Sequence, residues 1–152
     1  MNKNLNYKPL DELSAHILEE LQLDARLSIT EIGRRIGLSG PAVAERIKRM
    51  EEEEIITGYR AIIDNDKIGL TVNAFITLKS TMPHATVAKK ISEIPEITEC
   101  YNITGNNCVI MKASTPTTKR LEAIIGQLQL IGETNTSIIL SPTFDHRIIK
   151  RN

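Results

Sequence analysis

Tryptophan is missing from this chain, and the aromatic side chains amount to two Phe and three Tyr. A core must therefore be assembled from Ile, Leu, Val and Ala. Cysteine is scarce as well. Cys100 and Cys108 are too few for the disulfide framework of a small secreted domain, so both are expected as free thiols buried in strands. No stretch approaches the roughly 18 apolar residues of a membrane-crossing helix. The polar start, Met1 to Tyr7, has no apolar signal core. A cytoplasmic protein with no membrane partner is expected. Neither sign of charge is in excess: 19 bases face 19 acids. Total charge then says nothing of a polyanionic partner, and only its local distribution can. His16, His84 and His146 fall in different expected elements, and no metal-ligand spacing, Gly-rich phosphate loop or nucleophile motif is present. These absences point away from an enzyme, and neither cofactor nor metal is expected.

What is present suffices for one medium domain or two small ones: 152 residues, 41% of them hydrophobic. The first third has helical periodicity. Leu10, Leu13, Ile17, Leu18 and Leu21 form one stripe, with Pro9 as a helix start. Ser28 with Glu31 makes a capping box that opens a short helix ending at Gly37. Ser39 caps a third helix, with Pro41 early and Val43, Ile47 and Met50 on one face. Ile32, Ile36, Leu38, Val43 and Ile47 supply the apolar locks of a helix-turn-helix. Gly33 is the small residue at the crossing, and Gly37 is the turn.

Charge agrees locally. Arg26, Arg34, Arg35, Arg46, Lys48 and Arg49 outnumber Glu31 and Glu45 in that segment, and bases so placed can neutralise DNA phosphates and release counterions. The expected DNA contacts are Arg34, Arg35, Ser39, Pro41, Ala42, Glu45, Arg46, Lys48 and Arg49. The groove-facing residues are mostly small, so phosphate contact and DNA shape should outweigh direct base reading. Glu51 to Glu54 are expected as a solvated helix end, although acids there oppose the helix dipole.

Ile55 to Ile63 is rich in β-formers and is expected as a short hairpin or extended strand. The domains expected are 1–63, DNA-binding; 64–71, a turn-prone linker; and 72–152. The last contains alternating strands at Val72 to Lys79, Ile97 to Thr104, Cys108 to Ala113 and Thr134 to Leu140. One helix, opened by Ser80 to Pro83, carries Val87, Ile91 and Ile94 inward. A second, opened by Ser114 to Pro116, carries Leu121, Ile124, Ile125 and Leu128. The order β-α-β-β-α-β is a ferredoxin-like motif, so the fold class is α+β: a winged helix-turn-helix followed by a ferredoxin-like βαββαβ domain. Two helices cover one sheet face, and the other is expected to meet a second copy of the chain. The basic tail from His146 to Asn152 is expected as a frayed end.

Three stretches together carry a resemblance. They are Leu27-Ser28-Ile29-Thr30-Glu31-Ile32-Gly33, then Gly37-Leu38-Ser39, then Val43 to Glu51. This pattern resembles the N-terminal signature of the Lrp/AsnC (feast/famine) regulators. Asp64 to Leu70 is similar to that family's linker, and Glu99-Cys100-Tyr101 with Thr104-Gly105 to its central hairpin. The resemblance implies transcription regulation on double-stranded DNA. It also implies dimers assembled into tetramers or octamers, and an amino-acid-like effector near the hairpin, here Thr104, Gly105, Asn106 and Cys108. Two departures stand out. The run Gly105-Asn106-Asn107-Cys108 has no carboxylate for an ammonium group. Glu54 stands where the family often has Gly, so it must either turn left-handed or continue the helix. The alternative reading is a nucleoid-associated architectural protein that bends or wraps DNA without an effector. A catalyst on the ferredoxin-like fold and a helical domain that binds protein are the readings from other classes.

Overall fold

The computed structural model describes residues 10–144 and 147–150. They fall into two compact units. One runs through Ala61 and regains the chain from Phe144; the other is Ile62–Thr143.

The first unit is three helices: α1 (Glu12–Leu23), α2 (Ile29–Ile36) and α3 (Gly40–Glu52). Each begins on an oxygen-bearing cap. Asp11 accepts a hydrogen bond from Ser14 N–H at 2.8 Å, Ser28 from Glu31 N–H at 3.1 Å and Ser39 from Ala42 N–H at 3.4 Å. Asp11 is therefore the cap of the first helix, where Pro9 was expected as its start; Pro9 lies outside the described residues. Ile17, Ile32, Val43 and Met50 are buried together, with Leu18, Leu21, Ile36, Leu38 and Ile47 packed around them.

Two expectations in this unit are corrected. The stretch from Ile55 to Ile63 forms neither hairpin nor strand among the described residues. A strand needs a ladder partner, and β-branched composition supplies none. The tail is not a frayed end throughout. Gln22 donates to the Ile149 carbonyl at 3.1 Å and accepts from its N–H at 2.8 Å, and Lys150 lies 3.5 Å from Glu19. His146 is outside the described residues.

The second unit opens with a 3-10 turn (Asp66–Ile68). It continues as β1 (Val72–Lys79), α4 (His84–Ser92), β2 (Ile97–Asn102), β3 (Val109–Thr115), α5 (Thr118–Gln129) and β4 (Glu133–Ile138). The sheet is antiparallel, in the order β2-β3-β1-β4. This is the ferredoxin-like arrangement. Strand alternation puts Ala74, Ile76, Leu78, Val109, Met111 and Ala113 in a core with Val87, Ile91, Leu121, Ile124 and Leu128 from the helices. The second helix is capped by Thr117, not by the Ser114–Thr115 pair, which is still β3.

The opposite sheet face follows from register. One row holds Glu99, Lys112, Phe75 and Ser137; the next holds Tyr101, Ile110, Thr77 and Asn135. Phe75 and Tyr101 are exposed there. The cysteines are not both buried in strands. Cys100 is exposed on β2, an edge strand, where burial on one side still pushes its thiol pKa up. Cys108 is half-buried ahead of β3, 3.2 Å from the Leu78 carbonyl.

Candidate nucleic-acid interface

The turn between α2 and α3 is built by two glycines with different physical roles. Gly37 caps α2 at φ 75°, a left-handed conformation that costs glycine least. Gly33 permits close approach: a Cβ there would lie 2.4 Å from the Leu38 carbonyl oxygen. That approach lets the Leu38 N–H reach the Gly33 carbonyl at 2.9 Å and close the turn.

Helix α3 turns Val43 and Met50 inward. Pro41, Glu45, Lys48 and Glu52 follow at helical spacing, and all four are exposed. This outward stripe is the surface a groove would meet. Ser39 and Ala42 flank its start, half-buried or exposed at the cap.

Most of the bases described in α2 and α3 are ion-paired within the protein. Glu31 accepts from Arg34 at 2.7 and 2.9 Å and from Arg35 at 2.8 Å; Arg35 also reaches Glu20 at 2.6 Å. Thus Glu31 spends its carboxylate on the two arginines rather than on the second half of the capping box. Their hydrogen bonds, Arg34's first, pull its pKa from 4.5 to about 2. Lys48 lies 3.5 Å from Glu52, and Arg49 lies 3.0 Å from Glu53. The acidic run at the end of α3 is therefore a set of partners one turn on from α3's own bases. Glu51 accepts from the Tyr59 hydroxyl at 2.9 Å. The pairs are exposed, so exchanging a carboxylate for a phosphate costs little. Among the described residues Arg26 and Arg60 have no ion pair.

Arg46 differs. Its guanidinium is bound to both Asp11 carboxylate oxygens, at 2.6 and 2.8 Å, and to the Ser14 hydroxyl at 2.9 Å. It ties α3 to the cap of α1 and is the most enclosed of these bases, with 29% of its side chain exposed. The Arg46 hydrogen bond is the main reason the Asp11 pKa falls from 3.8 to about 2. A depressed carboxylate stabilises above its unfolded pKa, so this contribution is lost as pH falls from about 4 to about 2. Replacing Asp11 by Ala removes both the cap and the pair, and should cost about 1 kcal/mol in denaturant unfolding at neutral pH. D11N keeps the cap acceptor and should cost less, with a flatter acid limb. Equal losses in the two variants would mean that the ion pair, not the cap, carries the effect.

Helix α3 ends as a Schellman motif. Ile55 N–H bonds to the Met50 carbonyl at 2.8 Å and Glu54 N–H to the Glu51 carbonyl at 3.1 Å. Glu54 takes φ 56° there, so the departure from Gly is met by left-handed geometry and the helix stops.

The β2–β3 connection holds the other group of sequence-derived residues. Thr104, Gly105 and Asn106 are exposed, and Cys108 is anchored by its N–H to the Leu78 carbonyl at 3.0 Å. Sequence reasoning missed Asp11 and Ser14. The Asp11-x-x-Ser14 spacing of a cap was visible, but their approach to Arg46 across α3 was not.

Comparison with known proteins agrees with this geometry. Residues 10–51 match the family model of the AsnC-type helix-turn-helix domain, and residues 71–149 match that of the Lrp/AsnC ligand binding domain. The chain is 34% identical over 135 residues to the HTH-type transcriptional regulator LrpC of Bacillus subtilis, covering 87% of this chain and 92% of that protein. It is 35% identical over 127 residues to the regulatory protein AsnC of Haemophilus influenzae, covering 82% and 85%. The solved structure of B. subtilis LrpC superposes with a TM-score of 0.86 at 32% identity, covering 90% of this chain and 99% of that one.

Proposed function

The chain belongs to the Lrp/AsnC family of DNA-binding transcriptional regulators, and from that premise we propose that it grips duplex DNA mainly through phosphates, as a homo-oligomer held by its sheet unit. The observation that carries this reading is the α2–Gly37–α3 turn with the outward stripe of α3. Arg34, Arg35, Lys48 and Arg49 are the phosphate contacts, exchanging exposed carboxylate partners for DNA. Ser39, Pro41 and Ala42 offer the groove little hydrogen-bonding chemistry, so DNA shape and bendability supply much of the selectivity. Arg46 acts as a strut that sets the angle of α3 on α1, and its role at the DNA is indirect.

Self-association uses the sheet face carrying Phe75, Tyr101 and Ile110, first as a dimer and then as tetramers or octamers that bend or wrap DNA. Segment 64–71, at the head of the second unit, leads from the DNA-reading unit into the sheet. The effector subsite is the β2–β3 connection: Thr104, Gly105, Asn106 and Cys108. Its hydrogen-bonding groups are amide, hydroxyl and thiol, without a carboxylate, which suits a polar ligand held without a counter-charge. DNA as partner places the protein at the nucleoid in the cytoplasm. Among the described residues no helix is long and apolar enough to cross a membrane.

Gel retardation with an unselected duplex at two salt concentrations tests the reading. With about 6–10 phosphate contacts per oligomer, affinity should fall roughly 10³–10⁵-fold between about 50 and about 200 mM salt. No retardation at the lower concentration would refute it.

A further inference from the structure

On the outward stripe of α3, Pro41 offers no side-chain hydrogen bond, and the Ala44 methyl beside it offers none either. Lys48 reaches forward to Glu52, Arg49 to Glu53, and Arg46 back to Asp11. Lys48 and Arg49 lie one turn from Glu45; after the Glu53 hydrogen bond, the Glu45 charge also helps to raise the Arg49 pKa, yet neither base closes on it in an ion pair. The Glu45 carboxylate is exposed and has no hydrogen bond or ion pair among the described residues.

An unpaired carboxylate at the centre of a surface that meets a polyanion is repelled unless it finds a donor. In the major groove the donors are the exocyclic amino groups of cytosine and adenine. Adenine places its N7 acceptor beside the amino group, and that lone pair would face the second carboxylate oxygen. Cytosine N4 has an acceptor, the paired guanine O6, on one side only and its own C5–H on the other, whereas adenine N6 lies between two acceptors. We propose that Glu45 reads a C·G base pair, its carboxylate accepting from cytosine N4 in the major groove, and that it is the one direct base-reading side chain of α3. This rests on the DNA-binding reading above and deepens it: phosphate contact and shape supply most of the affinity, and one acidic residue supplies a fixed base identity.

The same carboxylate acts against wrong sequences. Opposite guanine or thymine it faces acceptors only. Replacing it with an amide therefore does more than remove a contact: it changes which base is accepted. Glutamine carries a donor and an acceptor and matches the N6 and N7 pair of adenine.

Selection from a randomised duplex pool, run in parallel on the full-length protein and on E45Q and E45A, decides it. For the wild type, one position should require C·G, with roughly tenfold weaker binding when that pair is changed. E45Q should move that position to A·T, E45A should leave it undetermined, and both should bind scrambled duplex more tightly because a carboxylate facing base acceptors within a polyanion's field is gone. Circular dichroism should show both variants folded. If all three proteins select the same bases, or if both variants lose affinity for every sequence alike, Glu45 does not read cytosine, although the protein binds DNA. A wild type that retards no duplex at all would overturn this assignment together with the reading it rests on.

Discussion

Replacing Gly33 by alanine should destabilise the helix-turn-helix unit by about 2 kcal/mol or more and abolish retardation of duplex DNA. The added methyl would lie 2.4 Å from the Leu38 carbonyl oxygen, with Val43 Cγ2 at 3.5 Å on another side. The nearest atom is backbone, not the end of a flexible side chain. Relief therefore requires the turn itself to open, which parts Leu38 N–H from the Gly33 carbonyl and tilts α3 away from Ile32. In an unencumbered helix the same change would gain about 1 kcal/mol, because alanine is the better helix former. Overpacking costs of about 1–3 kcal/mol or more outweigh that gain. Loss of helical signal on heating, compared with the wild type, reads the stability, and gel retardation reads the function. A G33A protein with unchanged melting and unchanged DNA affinity would show that the turn is not the rigid joint described.

A second large effect is expected at Phe75. It is 44% exposed at the middle of the uncovered sheet face, between Lys112 on β3 and Ser137 on β4. F75D should leave the sheet intact, since an aspartate there sits across from Lys112 and forms an opposite-charge cross-strand pair. It should nonetheless prevent self-association, because each copy would bring a charged pair into the contact, where desolvation costs more than the pairing returns. Sedimentation at micromolar protein should change from an oligomer to a single chain. DNA affinity should fall by about 10²-fold or more, as two reading heads are no longer joined. An F75D protein that still sediments as an oligomer would place the interface elsewhere on the chain.

Much of this is legible in the sequence. Side-chain alternation placed Ala74, Ile76 and Leu78 inward and Phe75, Thr77 and Lys79 outward, and the strand does so because its period of two is obligatory. The Ser28 and Ser39 caps were legible because capping is local, depending on a side chain and an N–H three residues away. Where local preference was the only guide, it erred. Ile55 to Ile63 has strand composition and no strand, and Cys100 sits in a strand without being buried, because its strand is an edge.

The sequence by itself determined two packed units, their order, the turn at Gly37 and the basic character of the segment around it. All of these depend on neighbours within a few residues, on periodicity or on composition. Only the tertiary structure decided what each charge does. Arg46, Arg49 and Lys48 are equivalent in composition, yet one is locked to Asp11 on another helix while the other two pair along their own. Tertiary structure also left Glu45 without a hydrogen bond or ion pair among the described residues. Coulombic and hydrogen-bonded pairing falls off within a few ångströms, so it is set by which surfaces the fold brings together, and a chain of letters has no distances between helices.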